Sequence, residues 1–286
     1  MGRLPERLSE RTRACSQRTL LQKRGVRVPY FQVDAFTDRL FAGNPAGICL
    51  LEEWLPDALL QGIATENNLS ETAFLVPKGS DFDLRWFTPE VEIDLCGHAT
   101  LAAAFVIFHE LKLRGSTVRF HTRSGVLSAD RAEEVITLDF PALPAATCTA
   151  PAALINGLGW MPIEVRCGVE DLLAVVTSEA DVLSLKPDTA QLAALDARGI
   201  IVTAPGSDCD FVSRFFAPRL GIVEDPVTGS AHSTLIPYWS ERLGKTRMLA
   251  RQLSSRGGEL FCEARGDRVG IGGRAVLYSR SQLELP

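Results

Sequence analysis

The sequence predicts a mixed α/β (α+β) chain made of two pseudo-symmetric halves, each a curved, mostly antiparallel sheet around a central helix. Three observations predict it. Arg85-Trp86-Phe87-Thr88-Pro89, leading to Gly97-His98-Ala99, is echoed by Arg214-Phe215-Phe216-Ala217-Pro218, leading to Gly229-Ser230-Ala231. The copies are 129 positions apart at the arginines and 132 at the glycines, and two Pro-Asp helix starts, Pro56-Asp57 and Pro187-Asp188, are 131 apart. A repeat this long implies a duplicated domain and not a short solenoid unit. Third, residues 98–111 are apolar nearly all round, as a helix enclosed by a sheet should be.

Element by element, the first half opens with β-rich residues 28–36, turns at Gly43-Asn44-Pro45, and continues as a strand over 46–51. Asp57 starts a helix with Leu59, Leu60, Ile63 and Ala64 on one face. Short strands over 72–76 and 83–87 precede the buried helix. A meander over 118–122, 126–129 and 135–140 ends the half. The second half repeats the order: strands at 163–167 and 172–177, a helix after Asp188, strands at 200–203 and 211–216, a helix from Gly229 through Trp239, and strands near 248–253, 259–263, 268–271 and 275–279. The boundaries read as an extension over 1–25, a first half over 26–140 completed by a strand near 275–286, and a second half over 141–274.

Composition narrows the function classes. The chain has 286 residues, 46% hydrophobic and 23% charged, with a formal net charge of −5, as expected of an ordinary globular protein. Residues 1–25 hold seven Lys/Arg and two Glu, leaving an acidic body. That argues against nucleic acid as a partner. No apolar run has the ~20 residues needed to span a membrane, so no membrane partner is expected. The Arg-rich extension lacks an apolar core and is no secretory signal; it is expected to be disordered, and the protein cytoplasmic. The seven cysteines are dispersed, without a CxxC pair. They read as reduced thiols and not as a disulfide framework. No metal-ligand cluster is expected.

The candidate chemistry gathers at the two glycine-led helix starts. A helix N-terminus carries unpaired N–H groups and partial positive charge, and glycine lets a ligand approach the backbone closely. Gly97 and Gly229, facing each other, would hold a carboxylate or a developing oxyanion. His98 stands where the second copy has Ser230, and could bind ligand or handle a proton; His109 and His121 belong to no constellation, and His232 sits one turn into the second helix. Glu71 is the carboxylate of the polar run Asn67 to Thr72 at a helix-to-strand entry. Partly buried there, it could exchange a proton near neutral pH. Asp225, ahead of the second helix start, would stay ionised and bind an amine or hydroxyl. The second half has no carboxylate matching Glu71, so the cleft has two anion holes and one base.

Asp34-Ala35-Phe36, Gly43-Asn44-Pro45, Asn68-Leu69-Ser70-Glu71-Thr72, Phe87-Thr88-Pro89 with Cys96-Gly97-His98, and Asp225 through Ala231 occur in order. Together they resemble the PhzF (phenazine biosynthesis-like) family, in particular its animal-type branch. The resemblance implies a diaminopimelate-epimerase-like fold with the site between the halves, a cofactor-free isomerase, and a homodimer. In the phenazine enzyme the matching glutamate moves a proton within a dihydro-hydroxyanthranilate; the resemblance gives that role to Glu71, on a small carboxylate-bearing substrate that the motifs do not specify. Binding roles would fall to His98, Asp225 and Ser230, with Gly97, Gly229 and Asn44 completing the set. Epimerases of this fold use a cysteine pair; Cys96 matches the first member, but the second half has no cysteine there. A Cys96-dependent epimerase or racemase, and a non-catalytic interaction protein retaining the fold, are the alternatives.

Overall fold

The computed structural model describes residues 25–285; apart from Gly25, the expected disordered extension lies outside them. Seventeen strands form one continuous sheet. The first half supplies β1 (Val26–Ala35), β2 (Asn44–Leu50), β3 (Glu71–Lys78), β4 (Asp81–Phe87), β5 (Glu92–Ile93), β6 (Thr117–Thr122), β7 (Gly125–Ala132) and β8 (Val135–Pro141). The second supplies β9 (Ala146–Thr147), β10 (Glu164–Cys167), β11 (Asp171–Val175), β12 (Gly199–Pro205), β13 (Phe211–Phe216), β14 (Arg247–Gln252), β15 (Gly258–Ala264) and β16 (Arg268–Gly273). The last strand, β17 (Ala275–Leu285), returns to pair with β1. The helices are α1 (Asp57–Asn67), α2 (Gly97–Phe105), α3 (Ala152–Leu158), α4 (Glu179–Ser184), α5 (Thr189–Ala193) and α6 (Gly229–Leu243).

The duplication is visible in the pairing. One ladder runs β17-β1-β2-β3-β4-β6-β7-β8, the other β9-β10-β11-β12-β13-β14-β15-β16. Both are antiparallel except at their third and fifth pairs: β2–β3 and β4–β6 in one, β11–β12 and β13–β14 in the other. The terminal strands β8 and β16 pair antiparallel and join the ladders. Period-two alternation sorts the faces: along β4, Phe82, Leu84 and Trp86 enter the main core with α2, while Phe87 joins α1 on the outer face.

Every residue from His98 to Ala104 is buried, so α2 is enclosed as its composition predicts. The expected single helix over 98–111 passes into a π-helical turn at Val106–Glu110, marked by a 3.0 Å bond from Leu111 N–H to the Val106 carbonyl. The second central helix, α6, runs past Trp239 to Leu243 and stops at left-handed Gly244 (φ 65°); its last turn is polar, which hid it from an apolar reading. Outside the sheets, α1 covers the first half, and α3, α4 and α5 cover the second. Neither α3 nor α4 was expected. Both are under two turns long, too short for a periodic pattern; only Ser178-x-x-Asp181, which forms a capping box at α4, signals either in sequence.

One cysteine expectation is overturned. Cys148 and Cys167 form a disulfide, with Cα atoms 5.8 Å apart. The pairing of β9 with β10 sets Cys167 opposite Ala146, and a two-residue strand carries too little pattern to be read from sequence. Cys49, Cys96, Cys209 and Cys262 are free.

The repeated Arg-aromatic-Phe segment is a clamp. Arg85 grips Glu92 through two bonds of 2.6 and 2.7 Å, and its guanidinium lies 5.1 Å from the Phe87 ring centre. Arg214 grips Glu224 at 2.7 and 3.0 Å and lies 4.9 Å from the Phe216 ring. Bidentate arginine–carboxylate pairs fix orientation as well as distance. Each clamp pins the loop that leads to a central helix start.

Two glycines test this packing. A Cβ on Gly62, within α1, meets nothing within 4 Å. Gly62→Ala should raise unfolding stability by ~0.5–1 kcal/mol. A Cβ on Gly199, at the head of β12, would lie 2.1 Å from the Phe215 ring. Gly199→Ala should cost ~1–3 kcal/mol or more. Urea unfolding of both variants checks the opposite signs.

Candidate active site

The site forms where the two central helices begin. Neither α2 nor α6 has a side-chain N-cap hydrogen bond, so no aligned bond from a cap side chain neutralises the partial positive charge at either start. The starts abut: a Cβ built on Gly97 would lie 3.4 Å from the Gly229 Cα, and the reverse distance is also 3.4 Å. No larger side chain separates the two partial positive charges.

Each neighbouring residue is delivered by a local device. Gly43 has φ +67°, and a Cβ there would lie 2.1 Å from the Ala35 carbonyl oxygen. Only glycine tolerates that turn, and it brings Asn44 into position. Asn44 is fully buried and donates to Asp225 Oδ1 and to the Val227 carbonyl, both at 2.9 Å. Those bonds use both amide protons, so Asn44 clips the halves together in addition to any contact with substrate. Ser70 Oγ donates to Asn44 Oδ1 at 3.3 Å. Asn68 ends α1 in the left-handed region (φ 49°), a conformation asparagine tolerates. The chain then enters β3 with Glu71 as its first residue.

Glu71, His98 and Cys96 converge at the head of α2. Glu71 Oε2 and His98 Nε2 are 3.1 Å apart, while Cys96 Sγ is 3.5 Å and Asn44 Nδ2 3.3 Å from His98 Nδ1. The approach of Glu71 to His98 lacks hydrogen-bond alignment, and both atoms are buried without another partner among the described residues. Unpaired buried polar atoms are costly unless a ligand satisfies them. Burial opposes charge on His98, while the adjacent Glu71 carboxylate favours it, and the imidazole is raised above its ordinary value. Burial, reinforced by Glu71, raises the Cys96 thiol. A neutral thiol is a poor nucleophile. The three residues are of types that ligate metals, and their donor atoms lie within 4.8 Å of one another. Cys96 lies nearest one imidazole nitrogen and Glu71 nearest the other.

Asp225 faces this group from the second half. Its carboxylate accepts from Asn44 and from the Thr228 hydroxyl, and Gln252 ties its carbonyl to Thr228. Burial lifts Asp225 to about 6 despite the opposing His98 charge. The expectation of a simply ionised aspartate at a helix start is thus modified: desolvation exceeds the helix dipole, and the group gains a proton in mildly acidic solution. Ser230 stands apart from the cluster, its hydroxyl accepting from Arg198 Nη2 at 3.2 Å. Arg198 and its partner Asp171 were not among the expected residues, because only the tertiary fold brings them beside Ser230. His109 stacks on Phe105 and His121 meets Asp81 at 3.1 Å; neither lies in the site.

The strand registers align the halves. Phe87 pairs with Thr72 and Phe216 with Ile200, so the matched phenylalanines place Gly199 where the first half has Glu71 and Arg198 where it has Ser70. Thr228 matches Cys96 by the 132-residue spacing.

Comparison with known proteins agrees with this architecture. Residues 33–281 match the family model described as phenazine biosynthesis-like protein, PhzC-PhzF. An uncharacterized isomerase of Pseudomonas aeruginosa is 52% identical over 255 residues, covering 89% of this chain and 98% of that protein. The human phenazine biosynthesis-like domain-containing protein is 43% identical over 286 aligned residues, covering 90% and 99%. The crystal structure of a PhzF-family protein from Enterococcus faecalis superposes with a TM-score of 0.89 at 49% identity, covering 91% and 100%. A predicted epimerase of Pseudomonas aeruginosa, at 23% identity and a TM-score of 0.71 over 90% and 99% of the two chains, shares the fold alone. The chain belongs to the PhzC-PhzF family and has its diaminopimelate-epimerase-like fold. Among the described residues no helix is long and apolar enough to cross a membrane.

His232 gives a test of the site's foundation. It is fully buried in the first turn of α6, with Nδ1 2.9 Å from the Thr228 carbonyl, and burial lowers its pKa to about 4. Between 6.5 and about 4 the unfolded chain binds a proton that the folded chain refuses, so stability falls as pH falls. Asp225, raised by burial, acts with the opposite sign below about 6, but equally in wild type and in a His232 variant. Comparing urea unfolding at pH 7 and pH 4, wild type should lose about 3 kcal/mol more than His232→Leu.

Proposed function

We propose that the protein is a cofactor-independent isomerase that moves a proton within a small carboxylate-bearing substrate in the cleft between its halves. Glu71 takes the proton from carbon and returns it at a second position. His98, whose charged form the adjacent carboxylate favours, faces Glu71 and stabilises the charge that builds up between the two steps. The N–H groups at the starts of α2 and α6 favour the electron-rich intermediate. Asp225 and Asn44 supply the polar wall opposite His98.

The observation that carries this reading is the juxtaposed Glu71 Oε2 and His98 Nε2, 3.1 Å apart and buried without another partner among the described residues, at the meeting point of two uncapped helices. The isomerase naming of similar proteins is consistent with it. A two-base racemase would need an acid on each face of the carbon, and the position matching Glu71 is Gly199. A Cys96-dependent epimerase is less favoured: the thiol is buried and raised, and its counterpart is Thr228.

A thermal-shift screen with hydroxyanthranilate-like, amino and keto acids identifies a ligand; a hit at a hundredfold excess over Kd adds ~2.7 kcal/mol of stability. With that compound, hydrogen exchange in heavy water and isomer formation measure turnover. Glu71→Gln should lower both by ~10²–10⁴-fold, the usual contribution of a positioned base, and leave binding largely intact. Unchanged turnover in this variant refutes the mechanism.

A further inference from the structure

A cavity of about 350 Å³ lies outside the cleft residues described above, and none of Glu71, His98, Asp225 and Ser230 lines it. Its wall comes from both halves. Arg39 stands on the loop between β1 and β2, Arg251 near the end of β14, Arg256 in the turn before β15, and Arg274 between β16 and β17. Leu253 and Phe261 supply apolar surface. Four arginines from four separate segments thus converge on one concave space in an otherwise acidic body.

The charges there are unevenly matched. Arg256 is satisfied: it donates to Asp34 Oδ1 at 2.8 Å and to the Gly43 and Ala42 carbonyls at 2.7 and 3.0 Å. The other three are not. Arg274 approaches Glu259 at 3.5 Å and Asp38 at 3.9 Å, and Arg251 approaches Glu259 at 3.6 Å, none of them in hydrogen-bond geometry. Arg39 is exposed, and among the described residues only its backbone is hydrogen-bonded. Three guanidinium groups therefore face the two carboxylates of Asp38 and Glu259. A guanidinium donates up to five bonds and accepts none, so the wall has one cation in surplus and donors in excess of acceptors. Like charges gathered in a concave wall concentrate positive potential and favour an anion.

We propose that this cavity binds the phosphoryl group of a small organic phosphate. A phosphomonoester dianion presents three terminal oxygens, where a carboxylate presents two, and so matches donors arriving from three segments. Phe261, whose ring centre lies 5.1 Å from the Arg274 guanidinium carbon, and Leu253 give the organic part an apolar wall. The volume falls within the range of small-molecule sites. This site does not depend on the proton-transfer reading of the cleft. Two other wall residues do reach the cleft: Gln252 donates to the Asp225 carbonyl at 2.8 Å, and Arg256 holds the carbonyls just before Asn44. Both are left unchanged in the test.

The test is calorimetric titration of the full chain with phenyl phosphate and, separately, phenyl sulfate. At about pH 8 and low ionic strength the phosphate ester, with its second pKa at ~6, is a dianion. The sulfate ester has the same shape and one charge fewer. Wild type should bind phenyl phosphate saturably and ~10-fold or more tighter than phenyl sulfate. Arg39→Gln, Arg251→Gln and Arg274→Gln should each weaken phenyl phosphate ~3–10-fold, the lower end for a charged hydrogen bond because these side chains are part-exposed. Glu71→Gln should leave the affinity unchanged, which separates this site from the cleft. Thermal midpoints without ligand identify any variant that fails to fold, and the remaining arginine variants then decide. Absence of saturable binding at millimolar ester overturns the proposal, as does equal affinity for the two esters. So does an affinity that responds to Glu71→Gln and not to the arginine variants, because the ester then sits in the cleft.

Discussion

Close approach of two helix starts is the constraint on which the rest of the molecule depends. A Cβ on either Gly97 or Gly229 would lie 3.4 Å from the other's Cα, so these glycines let two uncapped N-termini of like partial charge come close together. Like dipole ends do not approach without compensation. The compensation surrounds them: Asp225 on one side and Glu71 on the other, with Asn44 bonded across the join. The two Arg–Glu clamps pin the approaching loops, and the β8–β16 pairing ties the ladders behind them.

Symmetry of frame and asymmetry of chemistry divide cleanly here. The ladders share one pattern of parallel and antiparallel pairs, yet their matched side chains differ at the points facing the cleft. Glu71 meets Gly199, Ser70 meets Arg198, Cys96 meets Thr228, and His98 meets Ser230. At Gly199 the reason is steric: the Phe215 ring fills the space that a side chain would need. The two halves thereby present different side chains from matched positions of one frame. A duplicated frame suits this division, because it brings two similar helix ends together and leaves the surrounding residues free to diverge.

Much of this was legible in the residues. The spacing of the Arg-aromatic-Phe segments and the apolar run after Gly97 determined two curved halves around central helices, because strand alternation and helix burial are local patterns written along the chain. Glu71, His98, Asp225 and the two glycines could be singled out for the same reason: each stands at a helix start or a strand entry, where side chains are aimed. The order of motifs also placed the chain in its family.

What only the tertiary structure decided is which of these groups touch. Asn44 and Asp225 are 181 positions apart and 2.9 Å from one another in space. Arg198 carries no motif, and nothing in its neighbourhood marks it until β12 brings it beside Asp171 and α6 brings Ser230 to both. The Cys148–Cys167 disulfide depends on the register of a two-residue strand. Protonation followed the same rule. Asp225 near a helix start reads as ionised from sequence, and its burial raises it to about 6. Local pattern fixes the elements, but long-range register and desolvation exist only once the chain has folded, and they decide which residues meet and which hold a proton.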